Sequence, residues 1–184
     1  MTNNDVLRRI RYTFDYSEPK MVSIFALADT EVAQAQVTQW LKKDDDPDYQ
    51  NCSDVMLASF LNGLINEKRG KKDGAQAKPE KRMNNNAIFM KLKIALNLKA
   101  EDVLAIMDLA GLKISKHELS AFFRRSDHKH YRECKDQMLR NFLMGMQIKY
   151  RGNAEPGMSE SKKAVAKNET SSDKPAKKSL YRST

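Results

Sequence analysis

The sequence is poor in the residues that build disulfide-stabilised or metal-rich proteins. Among its 184 residues there are two cysteines, three histidines and one tryptophan. Two cysteines give no disulfide framework, so we expect reduced, buried thiols in a cytoplasmic protein. No apolar run is long enough to cross a bilayer, and the first residues lack the apolar core of a secretory signal. We therefore expect no membrane partner.

Recognisable catalytic signatures are also missing from the sequence. It has no phosphate-binding glycine loop and no dinucleotide fingerprint. Cys134 and His130 could be written as a nucleophile and its base, but only arginines lie nearby in the sequence to activate the thiol. We predict that the protein is not an enzyme, and that it has no catalytic residues and no cofactor.

The sequence does contain an internal repeat. The stretch from Pro47 to Gly70 returns as Lys129 to Gly152, at a constant offset of 82 residues. The match extends back without a gap to Asn4 and Asn86, and most apolar positions stay apolar across it. A gapless match of this length indicates duplication of a unit with fixed helix and loop lengths.

Within each repeat the apolar residues follow a helical spacing. The first segment, residues 6–14, places them on one face of a helix, and three more such segments follow. Asn3 or Asn4 is expected to cap the first helix, and Asn85 or Asn86 its mate. No segment alternates with a period of two, so we predict no sheet.

Two glycines lie inside the fourth helical pattern of the two repeats, Gly63 and Gly145. A glycine in a helix costs about 1 kcal/mol relative to alanine. Its presence at the same position of both repeats predicts a close approach between two helices. In the second repeat, Ser115 and Glu118 have the spacing of a capping box, which marks the start of the third helix.

These patterns predict an all-α fold in which two tandem four-helix repeats pack with pseudo-two-fold symmetry. Two independent units on a flexible connection are the alternative. We divide the chain into a first repeat at 1–70, a linker at 71–85, a second repeat at 86–152 and a disordered Lys-rich tail at 153–184. The oligomeric state is predicted to be a monomer or a homodimer.

Three stretches carry a resemblance to a known family: the NND and NNN starts of the repeats, KKDDDPDYQNCSDVMLASFLNGLINEKRGK, and DHKHYRECKDQMLRNFLMG. They resemble the YehS family, bacterial proteins with a tandem repeated domain of unknown function. The resemblance covers residues 3–152, and the basic tail looks like an addition to the common core. It implies a small, cytosolic, all-helical protein, and it carries over no catalytic residue, cofactor or substrate.

Charge is distributed unevenly between the repeats. Residues 4–70 carry 8 Lys and Arg against 11 Asp and Glu, whereas residues 86–152 carry 13 against 7. The tail, residues 153–184, carries 7 against 4. A polyanion should therefore prefer the second repeat and the tail.

The leading functional hypothesis is non-catalytic binding of nucleic acid, either DNA or RNA, through the second repeat. Basic side chains neutralise phosphates, and His128, His130 and Tyr131 interleave with them as groups that stack on bases. The alternatives are a solvated basic face, and an adaptor that binds another protein. The predicted nucleic-acid-binding residues are Arg124, Arg125, Lys129, Arg132, Lys135, Arg140 and Lys116.

A narrower hypothesis is a helix-turn-helix formed by the second and third helices of a repeat. The third helix would then offer Gln, Lys and Arg side chains to base edges and phosphates. The alternative is that this helix pair is ordinary packing, with Trp40 and Phe122 in the core. The acidic first repeat argues against two equivalent recognition modules.

His128, His130 and Cys134 lie close together in the sequence and are candidate metal ligands. All three residue types bind metals, but their spacing matches no closed site known to us. The mates of the two histidines are Asp46 and Asp48, which would favour a harder ion. We predict no metal, and expect polar loop residues beside a buried cysteine.

Overall fold

The computed structural model describes residues 1–152, which form one compact unit of eight α-helices without a strand. The predicted all-α class with a repeated unit is therefore confirmed. Within these residues no helix is both long and apolar enough to cross a membrane. The tail predicted to be disordered, residues 153–184, lies outside the described residues.

Each repeat supplies four helices, and every helix of the first repeat has a mate in the second. The first, second and third helices of a repeat are short, and the fourth is the longest. In chain order the helices are α1 Asn3–Phe14, α2 Glu18–Ala26, α3 Gln34–Leu41, α4 Asp54–Arg69, α5 Asn85–Ala95, α6 Ala100–Leu109, α7 Lys116–Phe122 and α8 Asp136–Arg151.

The starts of α1 and α5 lie one or two residues before the expected caps. Thr2 caps α1, because its hydroxyl accepts a hydrogen bond from the Asp5 amide, and Asn84 caps α5 by accepting from the Ala87 amide. The capping box at α7 is present as predicted. The expected caps are wrong, and the asparagines concerned lie inside the helices: Asn3, Asn4, Asn85 and Asn86.

The buried asparagines instead hold together distant parts of each repeat. The Asn4 Nδ2 donates to the carbonyls of Trp40 and Gln50 at 2.9 and 2.7 Å, and its Oδ1 accepts from the Cys52 amide at 3.0 Å. Asn86 makes the same three bonds in the second repeat, at 2.9, 2.8 and 2.9 Å. Each asparagine thus satisfies three backbone groups and fixes the loop before the fourth helix.

Two close helix contacts explain the glycines of α4 and α8. A Cβ atom added at Gly63 would lie 1.9 Å from the carbonyl oxygen of Ile24 in α2. One added at Gly145 would lie 1.9 Å from that of Ile106 in α6. The predicted close approach is confirmed, and it joins the second and fourth helices of both repeats.

The repeats share one hydrophobic core because their helices pack crosswise. α1 packs against α8, and α4 packs against α5, which are equivalent pairs under a pseudo-two-fold rotation. The Asp54 carboxylate accepts a hydrogen bond from the Met83 amide at 3.0 Å, and Asp136 equivalently accepts one from the Met1 amine. The two repeats, residues 1–152, are therefore one body rather than two independent units.

The connection between α4 and α5 contains no helix or strand, and it runs along α4. The Asn62 Nδ2 donates to the Ala77 carbonyl at 3.2 Å, and the Asn66 Nδ2 donates to Gln76 Oε1 at 2.8 Å. These bonds attach one face of α4 to the linker.

Candidate nucleic-acid interface

A surface cleft in the second repeat brings together two of the predicted basic residues. Lys129 and Arg132 line it with His117, His130 and Tyr131, around a volume of about 440 Å³. The cleft lies between the first turn of α7 and the loop that precedes α8. Sequence reasoning placed these side chains near one another along the chain, and the fold adds His117 from α7.

Backbone hydrogen bonds hold this loop in a defined shape. The His128 amide donates to the Arg125 carbonyl at 2.9 Å, and the Tyr131 amide donates to the His128 carbonyl at 2.8 Å. The Arg132 amide then donates to the Ala121 carbonyl at 3.1 Å, which attaches the loop to α7. The side chains of this loop are therefore presented from a fixed backbone.

Tyr131 lies between this cleft and a second cavity. The second cavity, of about 250 Å³, is lined by Arg124 and Phe123 as well as Tyr131. Tyr131 is half-buried and lines both cavities, the first together with Arg132 and the second together with Arg124. We call the surface formed by Arg124, Lys129, Tyr131 and Arg132 the Tyr131 surface.

The other predicted basic residues lie outside the Tyr131 surface. Lys116 borders a small apolar cavity of about 210 Å³ with Phe123, and its Nζ lies 2.7 Å from a Glu101 carboxylate oxygen. Arg125 pairs with a neighbouring aspartate, and Lys135 with a neighbouring glutamate. Arg140 lies on α8 and borders none of these three cavities.

Acidic groups reduce the positive potential of the cleft. Arg132 Nη1 lies 3.5 Å from Glu118 Oε1, and both side chains are largely exposed. The pKa of Glu118 is lowered, first by hydrogen bonds from the backbone and hydroxyl of Ser115 and then by Arg132 and His117. Exposed pairs of this kind contribute about 0–1 kcal/mol, so a phosphate could replace the carboxylate as partner of the guanidinium.

The aromatic residues of the helix-turn-helix hypothesis are in the core. Trp40 and Phe122 are buried, and the Trp40 ring lies 5.6 Å from that of Phe25. α7, which would read bases in the basic repeat, spans only seven residues. Their burial is what the packing alternative expected, and base reading by α7 stays a prediction.

The two cysteines behave as buried hydrophobic residues. Burial raises the pKa of both the Cys52 and the Cys134 thiols to about 12, so neither is a ready thiolate. The Nδ1 of His128 accepts a hydrogen bond from the His130 amide at 3.1 Å. Across residues 1–152, no group of three or more His, Cys, Asp or Glu side chains is placed to hold a metal ion.

Sequence reasoning missed a cleft between the two repeats. It has a volume of about 540 Å³ and lies where α1, α4, α5 and α8 end, and we call it the inter-repeat cleft. Thr13, Phe14 and Lys68 line it from the first repeat, and Leu96 and Tyr150 from the second. These residues share no motif, and only the crosswise packing brings them together.

Comparison with known proteins identifies the repeat. Residues 3–70 and 85–152 each match the family model described as protein of unknown function (DUF1456). The uncharacterized protein YehS of Escherichia coli (strain K12) is 46% identical over 147 residues, covering 79% of this chain and 94% of that protein. No solved structure matches the chain. Because both repeats match the family model and the similarity to YehS spans them, the chain belongs to the DUF1456 family.

Proposed function

We propose that the protein binds nucleic acid without catalysis, through the Tyr131 surface of the second repeat. The observation that carries the proposal is the difference between repeat mates. Five of the seven predicted basic residues have uncharged mates in the first repeat, so the shared scaffold does not need their charge. These pairs are Lys116 and Gln34, Lys129 and Pro47, Arg132 and Gln50, Lys135 and Ser53, and Arg140 and Ala58.

The geometry favours a single strand over a duplex. A half-buried tyrosine that lines one cavity with Arg132 and another with Arg124 offers a base a stacking surface, and stacking contributes about 1–3 kcal/mol per base. α7 is short and carries Glu118 in its first turn, which would face phosphates in a duplex groove. Arg124, Lys129 and Arg132 would neutralise the phosphates on either side of the stacked base.

The test measures binding of a short, fluorescently labelled single-stranded oligonucleotide by anisotropy over a range of salt concentrations. Arg124→Glu/Lys129→Glu should weaken binding at least about tenfold and flatten the slope of log K against log salt by about 1.4, because two phosphate contacts are lost. The control Arg11→Glu/Lys43→Glu makes the same charge change at exposed sites of the first repeat. Equal weakening by both variants would contradict the proposal.

Substitution of Tyr131 separates stacking from charge. Tyr131→Ala should weaken binding of the single strand about fivefold or more, whereas Tyr131→Phe should retain it, because the ring and not the hydroxyl stacks. Salt-insensitive binding, or equal affinity of Tyr131→Ala and wild type, would contradict a stacking surface. Crosslinking and sequencing of nucleic acid bound in cells would then distinguish DNA from RNA.

A second candidate function, a protein adaptor, is favoured by one face of α8. In α4 the corresponding face holds the linker through Asn62 and Asn66. In α8 the mate of Asn62 is Met144, which is 43% exposed, and Arg140 lies one turn before it. An extended segment of a partner protein could bind here as the linker binds α4.

The adaptor alternative is tested by capture of a partner after nuclease treatment and in high salt. Met144→Glu should abolish the capture, and Ile94→Glu, at an equally exposed apolar residue, should not. Capture that disappears with nuclease would favour nucleic acid instead.

A further inference from the structure

The inter-repeat cleft is formed by the ends of four helices. α1 ends at Phe14 and α5 at Ala95, and just beyond them Asp15 and Asn97 adopt the left-handed conformation with φ of 54° and 53°. The amide that follows each of them donates back into the helix at 3.0 Å, from Tyr16 and from Leu98. These equivalent caps end both helices beside the cleft, whose volume of about 540 Å³ lies in the usual range for small-molecule sites.

The walls of the cleft are apolar and aromatic. Phe14 contributes one wall, and its ring lies 5.4 Å from that of Tyr150, a residue of the other repeat. Ala95 and Leu96 complete the apolar lining. Such walls favour a planar apolar group, which can pack against both aromatic rings.

The charge around the cleft favours an anion. Each helix end contributes about half a negative charge, and Asp15 adds one more. The last turns of α4 and α8 carry four cationic side chains, and their positive charge exceeds this negative charge. The four are Lys68, Arg69, Lys149 and Arg151.

Lys68 is the cation with the clearest opportunity to bind a ligand. Its Nζ lies 4.7 Å from the centre of the Phe14 ring, and no carboxylate among residues 1–152 pairs with it. Arg151, in contrast, already pairs with Asp15 at 3.1 Å and lies 3.9 Å over the Tyr12 ring. An anionic group entering the cleft would therefore find Lys68 first.

A buried hydroxyl of the first repeat also lies at the cleft. Thr13 lines the cleft, is 2% exposed, and has a hydroxyl without a hydrogen-bond partner in the described part of the chain. Its mate in the second repeat is Ala95, so the scaffold does not need a hydroxyl at this position. Buried polar groups normally have partners, and a bound ligand would supply this one.

We propose that the inter-repeat cleft binds a small planar anion, a ring system that carries one phosphate or carboxylate group. The ring packs against the contacting rings of Phe14 and Tyr150, the anionic group pairs with Lys68, and Thr13 donates a hydrogen bond to the ligand. The two repeats contribute different side chains to the cleft, because the mate of Lys68 is Tyr150 and the mate of Phe14 is Leu96. This proposal goes beyond nucleic-acid binding and does not depend on it.

The test uses saturation-transfer NMR on the full chain with three probes up to about 1 mM. Adenosine monophosphate and indole-3-carboxylate carry a ring and an anionic group, and adenosine carries only the ring and sugar. The first two should bind, and adenosine should bind at least about tenfold more weakly, because it lacks the charge-assisted contact. If only the phosphate or only the carboxylate probe binds, the result identifies the anionic group.

Matched variants locate the binding. Lys68→Gln should weaken binding of the anionic probes about tenfold, and Thr13→Val about fivefold without loss of thermal stability, because a hydrogen-bond partner is lost only in the complex. Arg69→Gln, next to Lys68 but outside the lining, should bind like wild type. The proposal is overturned if no anionic probe binds, if adenosine binds equally well, or if Lys68→Gln binds like wild type.

Discussion

The loop before the fourth helix has one backbone conformation in the two repeats but opposite charge. In the first repeat the Asp46 carboxylate accepts a hydrogen bond from the Asp48 amide at 2.9 Å. In the second, the His128 imidazole accepts the same bond from the His130 amide at 3.1 Å. In both loops the amide of this acceptor residue donates to the carbonyl three residues before it, and its own carbonyl accepts from the amide of the tyrosine three residues after it.

This comparison separates what the fold requires from what it leaves free. The loop requires an acceptor atom at the position of Asp46 and His128, and the charge of that acceptor can change. In the first repeat Lys42 closes the acidic loop by pairing with Asp46 and Asp48 at 3.0 and 2.7 Å. Its mate Arg124 has no such carboxylates in the second repeat and borders Tyr131 instead.

The largest expected effect tests whether the shared helix contacts are equivalent. Gly63→Ala and Gly145→Ala should each destabilise the protein by about 3 kcal/mol or more, because the new methyl group would meet a backbone carbonyl that cannot move alone. Urea unfolding measures both. Ala105→Gly, on the exposed face of α6, gives the reference cost of a helix substitution, about 1 kcal/mol. A small effect at one glycine only would break the equivalence of the repeats.

The next effect concerns the buried asparagines. Asn4→Ala and Asn86→Ala should each cost about 2 kcal/mol, because three backbone groups lose their partner. Gln137→Ala, whose amide contacts Asn141 on the exposed surface of α8, serves as the control and should change stability little. If the free energies of unfolding of the two asparagine variants differ widely, one of the two loops is held by further contacts besides its asparagine.

The comparison of the two loops itself is tested at His128. His128→Ala should cost about 1 kcal/mol, because the loop loses its acceptor. His128→Asp should cost less, since Asp46 shows that a carboxylate serves at this position. The same variant should weaken single-strand binding, because it places a negative charge beside the Tyr131 surface. Equal destabilisation by both substitutions would contradict a shared loop design.

The smallest expected effect is a loss of stability in acid, to which one aspartate of each repeat contributes. The pKa of Asp54 is lowered from its ordinary 3.8 by hydrogen bonds from Asn3 and from the Met83 amide. The pKa of Asp136 is lowered by the N-terminal amine and Asn85. A carboxyl with a lowered folded-state pKa stabilises the protein above its ordinary pKa, and this contribution is lost as the pH falls below 3.8.

Asp54→Asn/Asp136→Asn should therefore flatten the decrease in the urea midpoint between about pH 4 and pH 2.5. Asp45→Asn, at an exposed aspartate of the acidic loop, is the control and should leave the profile unchanged. If the urea midpoint of the double variant falls as steeply with pH as that of the wild type, other groups cause the loss of stability in acid.

Local and periodic signals predicted most of the fold. Helical apolar spacing, the paired glycines and the Ser115 capping box all depend on residues within a few turns of one another, and each was correct. The caps of α1 and α5 were wrong because consecutive polar residues compete for that position. At α1 the position of Asn4 is decided by two hydrogen bonds to residues far along the chain: its Nδ2 donates to the Trp40 carbonyl and its Oδ1 accepts from the Cys52 amide. Spacing along the sequence does not reveal such bonds.

The candidate site was predictable in part for the same reason. Lys129, Tyr131 and Arg132 are close in sequence and lie on one surface. Arg140 was grouped with them, but it belongs to α8, whose helical turns carry it onto another face. The inter-repeat cleft depends on the packing of α1 and α5 against α8 and α4, and no pattern within one repeat encodes that arrangement.

Crosswise packing also affects how the protein folds during its synthesis on the ribosome. α1 is synthesised before α8, the helix of the other repeat against which it packs. At ordinary elongation rates the interval between them is on the order of ten seconds. During that time α1 exposes the apolar surface that α8 later covers. Exposed apolar surface of this kind makes a nascent chain prone to aggregation until the partner helix is complete.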